Sequence, residues 1–344
     1  MHRTHRRALA AAIALGAVVA VLPSAGFAQD APDFSGVKVA LVTGGAHPYF
    51  QPWKTGGAQA QTDFGIGATT FDESGEWDQT KETAAINALA AQGYNAFGIF
   101  GVSPTDINTV FETLKGQGFA VGSIASCPAG DVDKADFCLS TDTQQAAYLA
   151  AKGAIEAMGG AGNLVHLTGN AVDSNTQRRM AGVQQAVDET GGAVSLLTTV
   201  TDIDSDLQSA QKAVSDLLAA QGGDIAGIVT TAYNPAVAAT DGVKTSGLPI
   251  KVIAIDDDPT VLQAIRDGII SGTVVQNPWG QAYVGSWVLS ALQSGHCTMN
   301  TPGQYVDSGS FLVTTDNVDT YDAERQATSM EILAAFQNEY LTCS

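Results

Sequence analysis

One pattern constrains the fold more than any other. Short apolar runs alternate with longer amphipathic segments, and the whole order is written twice. Residues 37–43 read as a strand ending in Gly44-Gly45, followed by a helix over 52–64. A strand at 68–72, a helix at 80–92, a strand at 96–101, a helix at 105–117 and a strand at 119–124 complete the first pass. The second pass has strands at 163–168, 195–200, 226–231 and 251–255, separated by helices over 176–189, 207–221 and 235–246. Matching strands start about 125–132 residues apart throughout. Alternation at this spacing marks βαβ units on a parallel sheet, and the constant offset marks an internal repeat. The expected fold is therefore α/β, with two doubly wound, Rossmann-like parallel-sheet lobes joined by a hinge. Residues 137–141 and 272–276 lie outside the repeat, where the chain would cross between lobes. The helix over 280–294 would then return to the first lobe. This division gives an N-terminal lobe of residues 36–140 plus 277–310 and a C-terminal lobe of 141–276 plus 311–344.

The N-terminus addresses the compartment. His2, Arg3, Arg6 and Arg7 precede an apolar and small-residue run over 8–22, and Ser24-Ala25-Gly26-Phe27-Ala28 offers small residues for cleavage after Ala28. Residues 1–28 read as a signal peptide, because the run is shorter than the roughly 20 residues of a spanning helix. A periplasmic location follows. Four cysteines remain, Cys127, Cys138, Cys297 and Cys343, and an even number in an exported chain favours disulfides. Three pairings are possible; Cys127–Cys138 and Cys297–Cys343 are favoured as nearest neighbours in sequence. No C-x-x-C motif or zinc spacing is present, so no metal is expected.

Charge excludes other classes. After residue 28 the chain carries 13 basic and 35 acidic residues, a formal −22. Such a surface repels phosphate backbones and anionic headgroups, so no nucleic-acid partner is expected. The sequence contains no G-x-S-x-G elbow, phosphate loop or G-x-G-x-x-G, so neither an enzyme nor a cofactor is expected, and an exported hydrolase is a remote alternative. The run Asp202-Ile203-Asp204-Ser205-Asp206 lacks the glycine and glutamate of a calcium loop and reads as a capped helix start.

Open parallel sheets bind ligands at the carboxyl ends of their strands, so those positions carry the candidate site. His47, Tyr49 and Phe50 follow the first strand, and aromatic faces with an imidazole suit a sugar ring. Asp256 ends the last strand of the second half, where a carboxylate can accept hydroxyl hydrogen bonds. Gln276 ends a crossing strand and can donate and accept. Ser126, Gln177, Tyr233 and Asn234 lie at other strand ends. Arg178 and Arg179 are two of only four arginines after residue 28, at a helix start facing the cleft. Convergence on one cleft is the signal.

The order and spacing of Val39-Ala40-Leu41-Val42, His47-Pro48-Tyr49-Phe50, Gly182-Val183-Gln184-Gln185-Ala186, Val252-Ile253-Ala254-Ile255-Asp256 and Gly272-Thr273-Val274-Val275-Gln276 resemble one family. This is the type I periplasmic sugar-binding proteins of ABC transporters, the ribose-binding-protein-like group. The resemblance implies a monomeric hinged receptor that closes on a sugar or polyol and delivers it to a membrane permease. A chemotaxis or sensor-kinase receptor, or a binder of another small polar solute, is the alternative. It implies sugar contacts at Tyr49, Phe50, Asp256 and Gln276. The chain departs where ribose binders place Asn at His47, an Asp-Arg pair near Ala125-Ser126, an Arg near Gln177 and an Asn near Ala232. The departures favour a less densely bonded polyol or modified sugar over ribose.

Overall fold

In the computed structural model, which describes residues 32–130 and 132–344, the elements follow the expected alternation. The first half holds β1 (Lys38–Val42), α1 (Gln51–Phe64), β2 (Ala68–Asp72), α2 (Gln79–Ala91), β3 (Ala96–Ile99), α3 (Ile107–Gly116), β4 (Ala120–Ile124) and β5 (Phe137–Ser140). The second holds α4 (Thr143–Ala157), β6 (Gly162–Leu167), α5 (Ser174–Asp188), β7 (Val194–Val200), α6 (Leu207–Gln221), β8 (Gly227–Thr230), α7 (Tyr233–Ser246), β9 (Lys251–Ile255), α8 (Pro259–Arg266) and β10 (Gly272–Gln276). After these come α9 (Pro278–Gln293), β11 (Cys297–Met299), β12 (Gln304–Asp307), β13 (Ser310–Val313), α10 (Tyr321–Ala335) and β14 (Leu341–Cys343). The expected signal segment lies outside the described residues. Among those residues no helix is long and apolar enough to cross a membrane.

Two six-stranded sheets result. One is ordered β12-β5-β4-β3-β1-β2 and is parallel throughout. The other is ordered β13-β10-β9-β8-β6-β7 and is parallel except for the β10–β13 pair. The α/β reading therefore holds, with two doubly wound lobes. Each sheet is buried on both faces, as the near-continuous apolar strands require. In β1, Val39 and Leu41 face one apolar cluster with α1 and α9, while Ala40 and Val42 face another with α2 and α3. In the second sheet, Leu164, Val229 and Ile253 pack toward α4 and α5, whereas Val165, Ile228 and Val252 pack toward α6, α7 and α8. Gly182 lets α5 lie close on α4, since a Cβ there would stand 2.2 Å from the Gln144 carbonyl oxygen.

The acid surplus has a partly local explanation. Asp78, Asp142, Asp173, Asp206 and Asp258 each accept a backbone N–H at the start of a helix, worth about 1 kcal/mol apiece. Asp206 does this within the acidic run of residues 202–206.

The chain passes between the sheets after β5, after β10 and between β12 and β13. Buried polar side chains tie these three connections together. Thr141 Oγ1 lies 3.2 Å from Ser308 Oγ, Gln281 Nε2 donates to Ser308 Oγ at 2.9 Å, and Asn277 Nδ2 donates to the Ser308 carbonyl at 3.2 Å. The C-terminus departs from expectation. The sequence pattern places residues 311–344 in the second lobe, and Val313 and Val318 join its apolar cluster, yet Leu333, Phe336 and Leu341 join that of the first. There β14 pairs with β11, and Cys343 bonds to Cys297. The reason is that the α1/α9 face of the first sheet would otherwise lose part of its apolar cover. Cys127 bonds to Cys138.

Candidate functional site

The two halves repeat each other down to single hydrogen bonds. Thr43 and Thr168 donate their N–H groups to Asp72 and Val200 carbonyls, each at 2.9 Å. Ala125 and Asp256 donate to Leu139 and Val274, at 2.9 and 2.8 Å. Both Ala125 and Asp256 stand in left-handed backbone with φ of 64°. Strand order reverses beside β1 in one sheet and beside β6 in the other, and such switch points open crevices for ligands.

From the first lobe, His47 caps the short turn Pro48–Phe50, its Nδ1 accepting the Tyr49 N–H at 3.2 Å. Phe50 is buried among Tyr49, Trp53 and Phe100, with ring centroids 5.0–5.2 Å apart. The Tyr49 hydroxyl donates to Gln281 Oε1 at 3.2 Å, which joins the aromatic loop to the polar hinge cluster. Its burial, with the Asp256 charge next, raises the phenol far above the usual range. Ser126 is buried beside left-handed Ala125.

From the second lobe, Asp256 is almost fully buried, and Gln276 Nε2 donates to its Oδ1 at 2.8 Å. Burial pushes this carboxyl up to about 7, against the opposing pull of the Gln276 bond. Tyr233 Oη donates to Asp258 at 3.0 Å, and burial and that carboxylate raise its phenol. Asn234 receives both contacts of Asp204: its N–H donates to Oδ1 and its Nδ2 to the carbonyl, each at 2.8 Å. The lobes meet directly through His47. Its Nε2 lies 3.5 Å from Asp204 Oδ2, and its ring stands edge-on to Tyr233 at 5.9 Å. At 3.5 Å the pair is too long for a normal hydrogen bond, and Nε2 is buried without a hydrogen-bond partner among the described residues. Tyr49, Tyr233, Asp256, Asp257 and Trp279 line a cavity of about 470 Å³ between the lobes.

Two expected residues do not join this group. Gln177 and Arg178 are exposed on α5. The Gln177 amide donates to the Ala171 carbonyl, and the Arg178 charge acts on Tyr305 of β12. One helical position further on, Arg179 turns inward instead. Its charge reaches Asp256, Tyr49 and His166, and its buried Nε has no hydrogen-bond partner among the described residues. The cleft therefore holds a guanidinium that the reading of Gln177 had removed. Helical phase separates it from Arg178, because Arg179 lies three residues after buried Thr176 and three before buried Gly182, on the same side of α5.

Other contributors carried little sequence signal. His166 is fully buried in β6, with Nε2 2.7 Å from Thr231 Oγ1, and burial with the Arg179 charge pushes it down to about 3. Asp204 read only as part of an acidic run. Trp77 stands edge-on to His47 at 6.3 Å, over Gly45, whose missing Cβ would lie 2.7 Å from its Nε1.

Two like lobes, with aromatic groups on one facing carboxylate, amide and guanidinium groups on the other, define a two-lobed ligand-binding protein. Residues 39–296 match the family described as periplasmic binding protein domain, and the chain belongs to that family. Its members here are substrate-binding proteins, not enzymes. The ribose import binding protein RbsB of Bacillus subtilis is 25% identical over 233 residues, which cover 67% of this chain and 73% of that one. A solute-binding protein from Burkholderia graminis in complex with D-arabinose superposes with a TM-score of 0.74 at 22% identity, over 84% of this chain and 99% of its own. One from Bacillus halodurans with bound myo-inositol gives 0.73 at 16%, over 85% and 99%.

Proposed function

We propose that this chain is the exported solute receptor of an ABC importer, which binds a sugar or polyol between its lobes and delivers it to a membrane permease. The observation that carries this reading is the convergence at the strand ends. His47, Tyr49 and Phe50 come from one lobe, and Arg179, Asp256 and Gln276 come from the other. Aromatic faces cover the C–H side of a sugar ring. The Asp256–Gln276 pair accepts and donates hydroxyl hydrogen bonds, and Arg179 supplies a charge-assisted donor. RbsB is named for ribose import, and solved neighbours carry D-arabinose and myo-inositol, which supports the same solute class here. A ligand that touches both lobes favours the closed form and shifts an open–closed equilibrium.

The test is a thermal-shift screen of pentoses, hexoses and polyols on the purified chain. A ligand at about 100 times its Kd adds roughly 2.7 kcal/mol of stability, and small-angle scattering should show compaction with the same compound. The proposal fails if every sugar and polyol leaves the transition unmoved while amino acids, nucleosides or other solutes shift it.

A further inference from the structure

The cavity between the lobes is unevenly supplied with hydrogen-bonding atoms. Tyr49, Tyr233, Trp279, Asp256, Asp257 and Arg325 all line it. The donors of this wall are largely spent within the protein. The Tyr49 hydroxyl goes to Gln281 and the Tyr233 hydroxyl to Asp258. Arg325 Nη1 goes to Asp257 Oδ2 at 2.7 Å, and its Nη2 goes to Asp322. The acceptors are not spent. Gln276 bonds to Asp256 through Oδ1 alone, and Arg325 and Tyr321 both bond to Asp257 through Oδ2. Asp256 Oδ2 and Asp257 Oδ1 therefore accept no hydrogen bond among the described residues.

Charge and shape point the same way. Arg325 is shared between two carboxylates, Asp257 and Asp322. The Arg179 charge reaches Asp256, but no hydrogen bond joins the two among the described residues. Asp256 is thus 6% exposed with an amide as its bonded side-chain partner. A carboxylate so deeply buried without a hydrogen-bonded cation is costly. Three aromatic rings share the cavity with it. Trp279 is held by stacking on Tyr283, with centroids 4.6 Å apart and planes 15° from parallel. With both phenols committed, Tyr49 and Tyr233 offer an occupant their rings rather than their hydroxyls. Aromatic rings attract a cation, and open carboxylate oxygens take charged N–H donors most strongly.

Resting on the sugar or polyol reading above, we propose that the ligand is an amino sugar or amino polyol, its ammonium group held toward Asp256 and Asp257 among the rings of Tyr49, Tyr233 and Trp279. A hydroxyl in the same place keeps a hydrogen bond but brings no charge, which lowers affinity roughly tenfold or more.

Matched sets test this by isothermal titration calorimetry at neutral pH on the intact chain: glucosamine, galactosamine and mannosamine, each against its parent hexose and its N-acetyl derivative, and an aminocyclitol against myo-inositol. The expected result is that the free amine binds about tenfold or more tightly than its neutral counterparts in the set that binds. The N-acetyl member fills the position without charge and separates charge from size. Asp256→Asn tolerates the left-handed backbone and can still accept from Gln276; it should bring the ratio of amine to parent affinity to about one, with folding checked by its thermal transition. An undiminished ratio in that variant, or equal or tighter binding of the neutral member in every binding set, overturns the inference and leaves the sugar reading intact. So does binding of a neutral sugar from the wider screen when no member of these sets binds. No binding in any set, in a chain that also ignores the wider sugar and polyol screen, overturns the sugar reading and this inference with it.

Discussion

Glu82 gives the sharpest stability test. This acid lies on α2 with no exposed surface, beneath the loop that follows β3. Its Oε2 accepts from the Val102 N–H at 3.2 Å and from Gln79 Nε2 at 2.8 Å, while Oε1 is buried with no partner among the described residues. Burial outweighs both bonds and pushes the carboxyl from 4.5 up to about 7. The folded chain therefore holds this proton more tightly than the unfolded chain. The associated stability is fully present below pH 4.5 and is lost as pH rises through 7. A shift of that size is worth about 3 kcal/mol. Glu82→Gln keeps an acceptor for Val102 and cannot ionise. The variant should match the wild type near pH 4.5 and exceed it by up to about 3 kcal/mol at pH 8, or roughly 6 °C in Tm. Urea denaturation at both pH values reads the effect, and subtracting variant from wild type removes the similar trend expected of Asp256. Parallel pH dependence of the two proteins would refute the burial argument.

Two further perturbations address the site and the cross-links. Arg179→Ala should weaken binding of the cognate sugar by about 10- to 100-fold, the value of a charge-assisted hydrogen bond, while Arg178→Ala leaves it unchanged; calorimetry on both variants separates them. Replacing Cys297 and Cys343 by Ser should lower stability by about 4 kcal/mol, and replacing Cys127 and Cys138 by about 3, because the closed loops span 46 and 11 residues. Denaturation with and without reductant measures both, and an equal loss for the two pairs would contradict the loop-length argument.

The doubled α/β order was legible because the central strands β1, β3, β8 and β9 are short, mostly apolar runs separated by longer helical segments. Strand β9 and helix α6 have the bounds that the sequence suggests. The segments after α9 were not legible. Strands β11 and β14 are three residues each, and their pairing joins positions more than 40 residues apart, so local pattern says little about them. In the site, Asp256 and Gln276 could be located because they end strands. Arg179 could not be told from Arg178 by strand position, since one residue of a helix turns a side chain by about 100°. Asp204 and Trp77 sit in loops whose shape depends on contacts with Asn234 and Gly44-Gly45, which no local periodicity encodes.

The return of the chain's end to the first lobe bears on the order in which the molecule can be assembled. The sheet face carrying Val39 and Leu41 is covered by α9, and the same apolar cluster includes Leu341. The first lobe to be synthesised is thus the last to be completed. Its α1/α9 face waits for residues about 300 positions downstream of β1, whereas the second lobe draws α4–α8 and all but the edge strand of its one sheet from a continuous stretch before α9. The Cys297–Cys343 bond closes over the finished face. A chain stopped before residue 278 would lack only the edge strand of the second sheet but would leave the first as an uncovered apolar sheet, a ready target for aggregation.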